Sequence, residues 1–481
     1  MSVKKNIVYN VSLSVLNVLF PIITAPYVSR VLGVENIGVV RFVINSVNYL
    51  TLFAMLGIGY YGVRELAKYK DDQEKCSQIF SSLFTILFCS TFLVTLFFVL
   101  SINLIPAFKE HRLLFSLYGI TLYLVPISMD WYFQAKEKFR MITIRSLVVR
   151  LLCIASLFIF VRERSDILPY VLITVFSAIA TQVWNLSYAF KTGLRIKLRN
   201  LELSRHTKAM LVFFGSNIAI YTYVMLDTVM LGFLSSYKQV GYYTSANMIL
   251  DMLIGGFYAV NTVLMPRLSF NRAQNDDHAN TALLQKTFDL NALLSVPIAI
   301  GLCLVASRFV PFFFGNEFAG SIAPMQVLSF KMILNMLNSF FVVNVLIVFG
   351  YEKKFLLVAV CTALLSFALN LLFIPHYGAI GAAIVAIAIG GCFQIGFNLY
   401  YVYKFTNVRL RWGAFRIAVL LSLPFFALNY LCNKLIMNDI AFLFIFVSLS
   451  AIVYFALQLL AKNYLLRQMI EIGINRLKLK R

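Results

Sequence analysis

The sequence predicts an all-α polytopic membrane protein with about fourteen transmembrane helices. Of the 481 residues, 60% are hydrophobic and only 13% are charged, and the mean hydropathy is +0.82. Soluble domains are about 45–50% apolar and about 25% charged. This chain therefore carries too little charge to build a water-exposed surface over its whole length.

Apolar runs bounded by charged or turn-forming residues place the individual helices. A membrane-spanning helix needs about 20 residues, so fourteen of them leave only short loops. Short loops exclude a large soluble domain, an appended ATPase and a long catalytic loop. The predicted spans are 7–29, 38–60, 77–104, 113–133, 143–161, 167–190, 209–234, 241–265, 288–310, 323–349, 355–373, 378–403, 413–432 and 440–461.

The net charge of +22 is explained by the membrane topology, and it predicts no nucleic-acid partner. Cytoplasmic loops of membrane proteins are enriched in Lys and Arg. If the N-terminus is cytoplasmic, 31 of the 42 basic residues fall in cytoplasmic segments, among them 191–208, 266–287, 404–416 and the tail 462–481. This asymmetry predicts that both termini are cytoplasmic, which requires an even number of spans.

Motifs for ATP hydrolysis, metal binding and disulfide formation are absent from the sequence. There is no G-x-x-x-x-G-K-[ST] and no HExxH, and the seven cysteines are scattered without a CxxC pair. The sequence therefore predicts no catalytic residue, no metal and no cofactor. Transport would have to be driven by the membrane potential or by an ion gradient, with H⁺ or Na⁺ as candidate coupling ions.

An internal repeat predicts two lobes in parallel orientation. Leu32-Gly33 and Gly38 are echoed by Leu231-Gly232 and Gly241, and residues 133–139 are echoed by residues 349–355. Such repeats are common in transporters. The predicted organisation is an N-terminal lobe (1–208, spans 1–6), a C-terminal lobe (209–403, spans 7–12), and a third segment (404–481) with spans 13 and 14 and a basic tail.

Several motifs resemble the polysaccharide-transporter branch of the multidrug/oligosaccharidyl-lipid/polysaccharide (MOP) exporter superfamily, which includes the Wzx-type flippases. The resemblance runs over nearly the whole chain and is strongest in the first 80 residues. The matching residues are Asn10, Pro21, the run Pro26–Gly33, Gly38, Asn48-Tyr49, Leu56-Gly57, Tyr61–Glu65, Asp130–Gln134, Gly315–Phe318 and Pro375–Gly381.

The resemblance implies a MATE-like fold with two six-helix lobes, a V-shaped cavity and two additional C-terminal helices. It also implies that the substrate is an undecaprenyl-diphosphate-linked oligosaccharide, moved from the inner to the outer leaflet for O-antigen, capsule or a related polymer. The implied location is the bacterial inner membrane. A polysaccharide polymerase and a chain-length regulator are candidate partners.

Polar residues at helical spacing inside apolar spans are the candidate site. Arg41, Asn45 and Asn48 in span 2 share one helical face, and Lys331, Asn335 and Asn338 in span 10 have the same spacing. Ionisable residues within a membrane usually face a cavity or a partner. The predicted cavity cations are Arg41, Lys331, Arg30 and Arg150. The predicted polar lining is Asn45, Asn48, Asn247, Asn335, Asn338, Tyr49, Tyr221 and Tyr258, and the predicted counter-charges or coupling groups are Asp227 and Asp251.

Structural explanations of these residues remain open at the level of sequence. Polar contacts hold membrane helices together without any transport role. Arg41 or Lys331 could form an ion pair with Asp227 or Asp251, and Arg30 could extend to the outer interface. Arg150 needs a partner that the sequence does not identify. The basic tail from Lys462 fits either an amphipathic helix on the inner leaflet or an ordinary excess of positive charge.

Two other functions compete with flipping. A drug or organic-cation antiporter of the same superfamily would, by family resemblance, have twelve spans and an acidic cavity. A membrane-embedded polymerase or glycosyltransferase would need a sizeable catalytic loop with clustered carboxylates. The two additional spans, the basic stripes and the short loops all favour the flippase.

Overall fold

The computed structural model describes residues 3–197, 201–274 and 277–468. The side chains of 3–8, 10, 11, 14, 216–224, 256–263, 265, 266, 273, 277, 278 and 352 are outside the described set. All regular secondary structure within the described ranges is helical, which confirms the all-α class. The chain divides into two compact units, Met1–Gly241 and Tyr242–Arg481.

The first unit is built from ten helices and one 3-10 turn within its described residues. Its helices are α1 (Val3–Met55), α2 (Ile58–Ala67), α3 (Gln73–Leu104), α4 (Pro106–Glu110), α5 (Arg112–Tyr118), α6 (Ile120–Tyr123), α7 (Asp130–Ala135), α8 (Phe139–Phe160), α9 (Ile167–Lys191) and α10 (Leu203–Leu234), with the 3-10 turn at Val125–Ile127. Helix α1 packs against α3, α8 and α10. Predicted span 4 is a series of short helices, and Pro126, whose nitrogen has no N–H to donate, lies in the 3-10 turn between α6 and α7.

Helix α1 contains predicted span 1 and most of predicted span 2, and it is broken at Gly33. Gly33 has φ +77° and ψ 169°, a backbone conformation that is strained for residues with a side chain. Leu56 and Gly57 also have positive φ, and they separate α1 from α2. The Leu32-Gly33 motif therefore marks the turn between predicted spans 1 and 2.

The second unit continues from α11 (Tyr237–Ala273), whose first turn belongs to the first unit. Its other helices are α12 (Asp277–Phe314), α13 (Ile322–Ser329), α14 (Lys331–Ser339), α15 (Glu352–Val385), α16 (Gln394–Phe405), α17 (Gly413–Ser422), α18 (Pro424–Leu435) and α19 (Asp439–Leu460), with a 3-10 turn at Asn316–Ser321 and π-helical segments at Phe340–Ile347 and Ala386–Phe393. Helix α15 is broken at Gly378, where φ is +52°.

The C-terminal helices α17–α19 pack against α12. Arg308 of α12 bonds to Asp439 (Nη1 to Oδ1, 3.0 Å) and lies over the ring of Phe442 at 4.7 Å. The Tyr454 hydroxyl donates to the Leu293 carbonyl at 2.9 Å. Polar contacts such as these, together with buried aromatic rings, attach the C-terminal pair of spans to α12.

Ten helices among the described residues are long and apolar enough to cross a membrane. Two of the ten, Val15–Ala67 and Lys353–Phe405, each have 53 residues. Each of them contains a backbone break, at Gly33 and at Gly378. The structure thus supports a multi-pass membrane protein, and the count of fourteen spans and the boundaries at 208 and 403 stay predictions.

Two glycines of the sequence repeat lie at one close helix crossing inside the first unit. A Cβ on Gly38 would lie 1.7 Å from the Tyr237 carbonyl oxygen, and a Cβ on Gly241 would lie 2.3 Å from the Val34 carbonyl oxygen. The two contacts are reciprocal, because each glycine meets the carbonyl of the residue four positions before the other glycine. Glycine at both positions is what allows the backbones to approach.

Candidate functional site

Lys331, Asn247 and Asp251 form a hydrogen-bonded chain in the second unit. The Lys331 ammonium donates to Asn247 Oδ1 at 3.0 Å, and Asn247 Nδ2 donates to Asp251 Oδ2 at 2.7 Å. Lys331 is 8% exposed, whereas Asp251 is exposed. All three residues are among the predicted site residues, and the structure adds that the Asn247 amide bonds to both the cation and the carboxylate.

Lys331 is the first residue of α14 and directly follows a turn at Phe330. Helix α13 ends at Ser329, and α14 starts at Lys331 and passes into the π-helical segment at Phe340. Such π-helical turns are frequent at functional sites in membrane and soluble proteins. Asn338, two turns further along α14, accepts a hydrogen bond from Asn398 Nδ2 of α16 at 2.7 Å.

The predicted face of span 2 forms a second polar cluster, in the first unit. Asn45 Nδ2 donates to the Arg41 carbonyl at 2.8 Å, so this amide is satisfied by its own helix. The Tyr118 hydroxyl of α5 hydrogen-bonds to Asn48 and lies within electrostatic range of the Arg41 guanidinium. Arg41 and Asn48 are thus brought together around a tyrosine that the sequence did not single out.

Arg150 is held by α1, which supplies the partner that the sequence could not identify. Its Nη2 hydrogen-bonds to Asn17 Oδ1, and its guanidinium lies 5.7 Å from the ring centroid of Phe20. Arg30 is exposed, three residues before the break at Gly33. The structure therefore does not group Arg30 or Arg150 with the Arg41 cluster.

For the remaining predicted site residues, the structure gives burial and one ring contact. Asp227 is buried, at 2% exposure, on α10. Tyr49 packs its ring edge-on against Phe53 at 5.7 Å, and Asn335 is half-buried on α14. The side chains of Tyr221 and Tyr258 lie outside the described residues.

Arg145 is the centre of a buried polar network that has a structural role. The side chain of Arg145 is 4% exposed, and its Nη1 bonds to Asp130 Oδ1 at 2.6 Å and to Asn185 Oδ1. Asn185 Nδ2 also donates to Asp130 Oδ1 at 3.0 Å. A buried charge is tolerated only when it is paired and hydrogen-bonded, and this network meets that condition by joining α7, α8 and α9.

A third network joins α2 to the start of α10. Glu65, whose side chain is 4% exposed, pairs with Lys68 at 2.6 Å and with Arg205 at 3.1 Å. The Tyr61 hydroxyl lies 2.7 Å from Nδ1 of buried His206. Burial lowers the pKa of His206, and the adjacent charge of Arg205 lowers it further.

Sequence reasoning missed Tyr118, Asn398 and Asn17 as partners of the predicted residues. Asn17 is spaced helically with Asn10 and Ser14, and Asn398 with Gln394, so polar spacing could have marked these two, whereas Tyr118 has no such pattern. Their roles depend on which helices become neighbours, and periodicity along one helix does not contain that information. No group of three or more metal-ligating side chains occurs among the described residues.

Comparisons with known proteins agree with this architecture. An O-antigen transporter of Escherichia coli (strain K12), so described, is 27% identical over 400 residues, which cover 81% of this chain and 94% of that protein. One from Shigella flexneri is 26% identical over 410 residues, 80% and 94% of the two chains. A Haloferax volcanii protein described as the low-salt glycan biosynthesis flippase Agl15 is 21% identical over 291 residues, 59% of each chain.

Two solved structures share the fold. The lipid II flippase MurJ in an inward closed conformation matches with a TM-score of 0.77 at 15% identity, over 96% of this chain and all of that one. An inward-facing MATE multidrug resistance transporter of the MOP superfamily matches with a TM-score of 0.64 at 14% identity, over 82% and 97% of the two chains. These matches confirm the predicted MATE-like fold class. The model of one family, described as polysaccharide biosynthesis protein, matches residues 3–272, more than half of the chain, and the protein therefore belongs to the polysaccharide biosynthesis protein family.

Proposed function

We propose that this protein is a flippase for undecaprenyl-diphosphate-linked oligosaccharide repeat units. It moves them from the inner to the outer leaflet of a bacterial inner membrane for O-antigen, capsule or a related surface polymer. Family membership and the O-antigen transporters and glycan flippase among its relatives support this substrate class. Both termini are cytoplasmic in this proposal, as the distribution of Lys and Arg predicts.

The chain of Lys331, Asn247 and Asp251 is the observation that carries the proposal. A glycan diphosphate cannot enter hydrocarbon, because its charges and hydroxyls would lose their hydrogen bonds to water. The buried Lys331 ammonium donates to the Asn247 amide oxygen, and a phosphate oxygen can replace that amide because a charged acceptor gives the stronger hydrogen bond. Lys331 is therefore the first diphosphate-binding residue in this proposal.

The other predicted residues have supporting roles. Arg41, with Asn48 and Tyr118, offers a cation and two hydrogen-bonding groups for the phosphates or for an acidic sugar, and Arg is suited to bidentate phosphate contact. Arg30 and Arg150 are secondary cations. Polar lining for sugar hydroxyls comes from Asn45, Asn247, Asn335, Asn338, Tyr49, Tyr221 and Tyr258.

Alternating access without ATP fits the electrostatics of such a site. A membrane potential contributes about 2.3 kcal/mol per charge per 100 mV, and an inside-negative potential favours outward movement of an anionic headgroup. When site cations neutralise the headgroup, the loaded step is nearly neutral and the empty cationic site is drawn back inward. Asp227 and Asp251 are the groups that would pair with the cations or exchange H⁺ or Na⁺.

A MATE-type drug antiporter is the second candidate, because a MATE transporter shares the fold. Such an antiporter would need an acidic site for organic cations, whereas the buried charge of the second-unit cluster is an ammonium. An enzymatic role as polymerase or glycosyltransferase is the third candidate, and the short loops give it little support. A polymerase and a chain-length regulator are instead proposed as partners.

The test is a gene deletion that is complemented by variants. Two quantities are measured in each strain, namely surface polysaccharide and the leaflet of the lipid-linked repeat units, the latter with a membrane-impermeant probe. The deletion should abolish surface polysaccharide and trap repeat units on the cytoplasmic side. Lys331→Gln and Arg41→Gln should reproduce the trapping, whereas Arg416→Gln, a matched change of an exposed cation, should restore the wild-type result.

Each other outcome identifies a different function. Unpolymerised repeat units on the outer side would overturn flipping and favour the enzyme. Unchanged polysaccharide together with new sensitivity to cationic drugs would favour the antiporter. Membrane levels of every variant are measured by immunoblot, so that loss of protein is separated from loss of transport.

A further inference from the structure

A basic cavity of about 760 Å³ lies in the second unit, apart from the cluster around Lys331. It is lined by the start of α12, the segment between α16 and α17, and the residues that follow α19. Four cations line it: Lys286, Arg409, Arg411 and Arg467. None of the described residues that line it is acidic.

The walls of this cavity are fixed by specific hydrogen bonds. Gln285 of α12 accepts from the Arg411 backbone N–H at 2.8 Å and donates to the Arg411 carbonyl at 3.0 Å. The Tyr464 hydroxyl donates to Asp289 at 2.7 Å, and Lys286 donates to Gln468 at 2.6 Å. Three separate chain segments are therefore held around one cavity.

Within the described ranges, the four cations contact neutral groups and not acids. Lys286 bonds to an amide, and Arg409 bonds to the Thr406 and Val408 carbonyls and lies 5.2 Å from the ring of Tyr403. The nearby Asp289 is buried and accepts from Tyr464 and Gln285 instead. None of the four forms an ion pair with a carboxylate in the described part of the chain, so the cavity retains a concentrated positive charge.

The cavity lies beside the ends of two apolar helices, which is the depth at which lipid headgroups are expected. Helix α17 begins two residues after Arg411, and α19 ends four residues before Tyr464. Both helices expose large apolar side chains next to these ends, among them Ile417, Leu420 and Leu460. An occupant of the cavity is thus beside a surface suited to acyl chains.

We propose that this cavity binds the phosphate of an anionic phospholipid from the cytoplasmic leaflet. The proposal rests on the positive-inside assignment of segments 266–287, 404–416 and 462–481, and not on the flippase function. Basic pockets at the cytoplasmic ends of membrane helices bind anionic headgroups in this way. A lipid is favoured over free phosphate because the adjoining apolar surface can hold acyl chains while the cations hold the phosphate.

Native mass spectrometry of the purified full-length protein tests this proposal. The protein is titrated with dioleoylphosphatidylglycerol, with dioleoylphosphatidylcholine and, as a competitor, with inorganic phosphate. The Arg411→Gln/Arg467→Gln double variant removes two exposed cations whose side chains make no hydrogen bond within the described residues. The matched control is Lys404→Gln/Arg416→Gln, which removes two exposed cations of the same region that do not line the cavity.

Wild type should prefer phosphatidylglycerol to phosphatidylcholine. The cavity variant should bind phosphatidylglycerol about 25-fold more weakly, since one basic residue contributes about fivefold to anionic-lipid binding. The control should retain wild-type affinity. Equal affinities of the cavity variant and wild type would overturn the proposal, and so would equal weakening in the control. Displacement of the lipid by an equal concentration of inorganic phosphate would show that the cavity is an anion site and not a lipid site.

Discussion

Lys331 and Asn247 are joined by a 3.0 Å hydrogen bond in which the ammonium donates to the amide oxygen. The same amide donates to Asp251 at 2.7 Å, so it is oriented with its oxygen toward the cation and its nitrogen toward the anion. One neutral amide therefore contacts both charged groups, and its chemistry bears on how Lys331 exchanges partners.

Asn247→Asp is expected to lower flipping about tenfold while the protein still reaches the membrane. A carboxylate at this position attracts the Lys331 ammonium as a full opposite charge, whereas the amide offers only a dipole. It therefore competes with a substrate phosphate. The measurement is the rate at which repeat units become accessible to an impermeant probe. Asn103→Asp, on an exposed residue of α3, is the control, and an unchanged rate in Asn247→Asp would refute the proposed role of the amide.

Asp130→Asn is expected to destabilise the protein by about 2 kcal/mol, the typical contribution of a hydrogen bond to a charged group. The change leaves the buried Arg145 guanidinium without its carboxylate. The measurement is thermal or denaturant unfolding of the detergent-solubilised protein. Glu137→Gln is the control, since the Lys70–Glu137 pair is half-exposed on both sides and such pairs contribute at most about 1 kcal/mol. Equal effects of the two substitutions would contradict the buried network.

The sequence predicted the helical class and placed several members of the two clusters among the candidate site residues, because apolar length and polar spacing are properties of one helix at a time. Lys331, Asn247 and Asp251 were identified in this way. Tyr118, Asn398 and Asn17 were not, since each acts across a helix–helix contact. The partners of Arg150 and Asn338 therefore required the three-dimensional structure.

Loop segments were the least predictable part of the chain. Lys286, Arg409, Arg411 and Arg467 were read from sequence only as part of the positive-inside excess. Their shared cavity depends on the Gln285–Arg411 and Tyr464–Asp289 bonds between distant segments. No periodic pattern encodes such contacts.

Acidification is expected to destabilise the protein through His206. Burial lowers the pKa of His206 below that of the unfolded chain, so the unfolded state binds more protons as the pH falls through about 6.5. The contribution of neutral His206 to the free energy of unfolding is complete at pH values above the pKa that His206 has in the unfolded chain. It is lost as the pH falls below that value. The groups that face His206 are Tyr61, Glu65, Arg205 and Glu202.

His206→Gln should therefore weaken the dependence of the unfolding midpoint on pH between about pH 7 and 5. Burial also lowers the pKa of His111, so the informative quantity is the difference between variant and wild type. The control is His376→Gln, which makes the same substitution at an exposed histidine. A wild-type slope in His206→Gln would show that His206 does not titrate differently on folding.

Gly38→Ala is expected to be among the most damaging single-methyl changes in the chain. The added Cβ would lie 1.7 Å from the Tyr237 carbonyl oxygen, and backbone atoms in two packed helices cannot rotate away as a side chain does. Overpacking of this kind costs about 1–3 kcal/mol or more. Gly241→Ala meets the Val34 carbonyl in the same way and should give a similar loss. The measurement is the unfolding midpoint of the detergent-solubilised protein, together with its level in the membrane.

Gly301→Ala is the matched control, because Gly301 is inside α12 and a Cβ there would have no neighbour within 4 Å. Helix propensity predicts that this substitution stabilises the helix by up to about 1 kcal/mol. If Gly38→Ala lowers the unfolding midpoint and Gly301→Ala raises it, the constraint lies at the reciprocal crossing. An unchanged midpoint in Gly38→Ala would mean that the two backbones are not in contact. The glycines that echo each other in the sequence would then be a feature of the repeat alone and not of its packing.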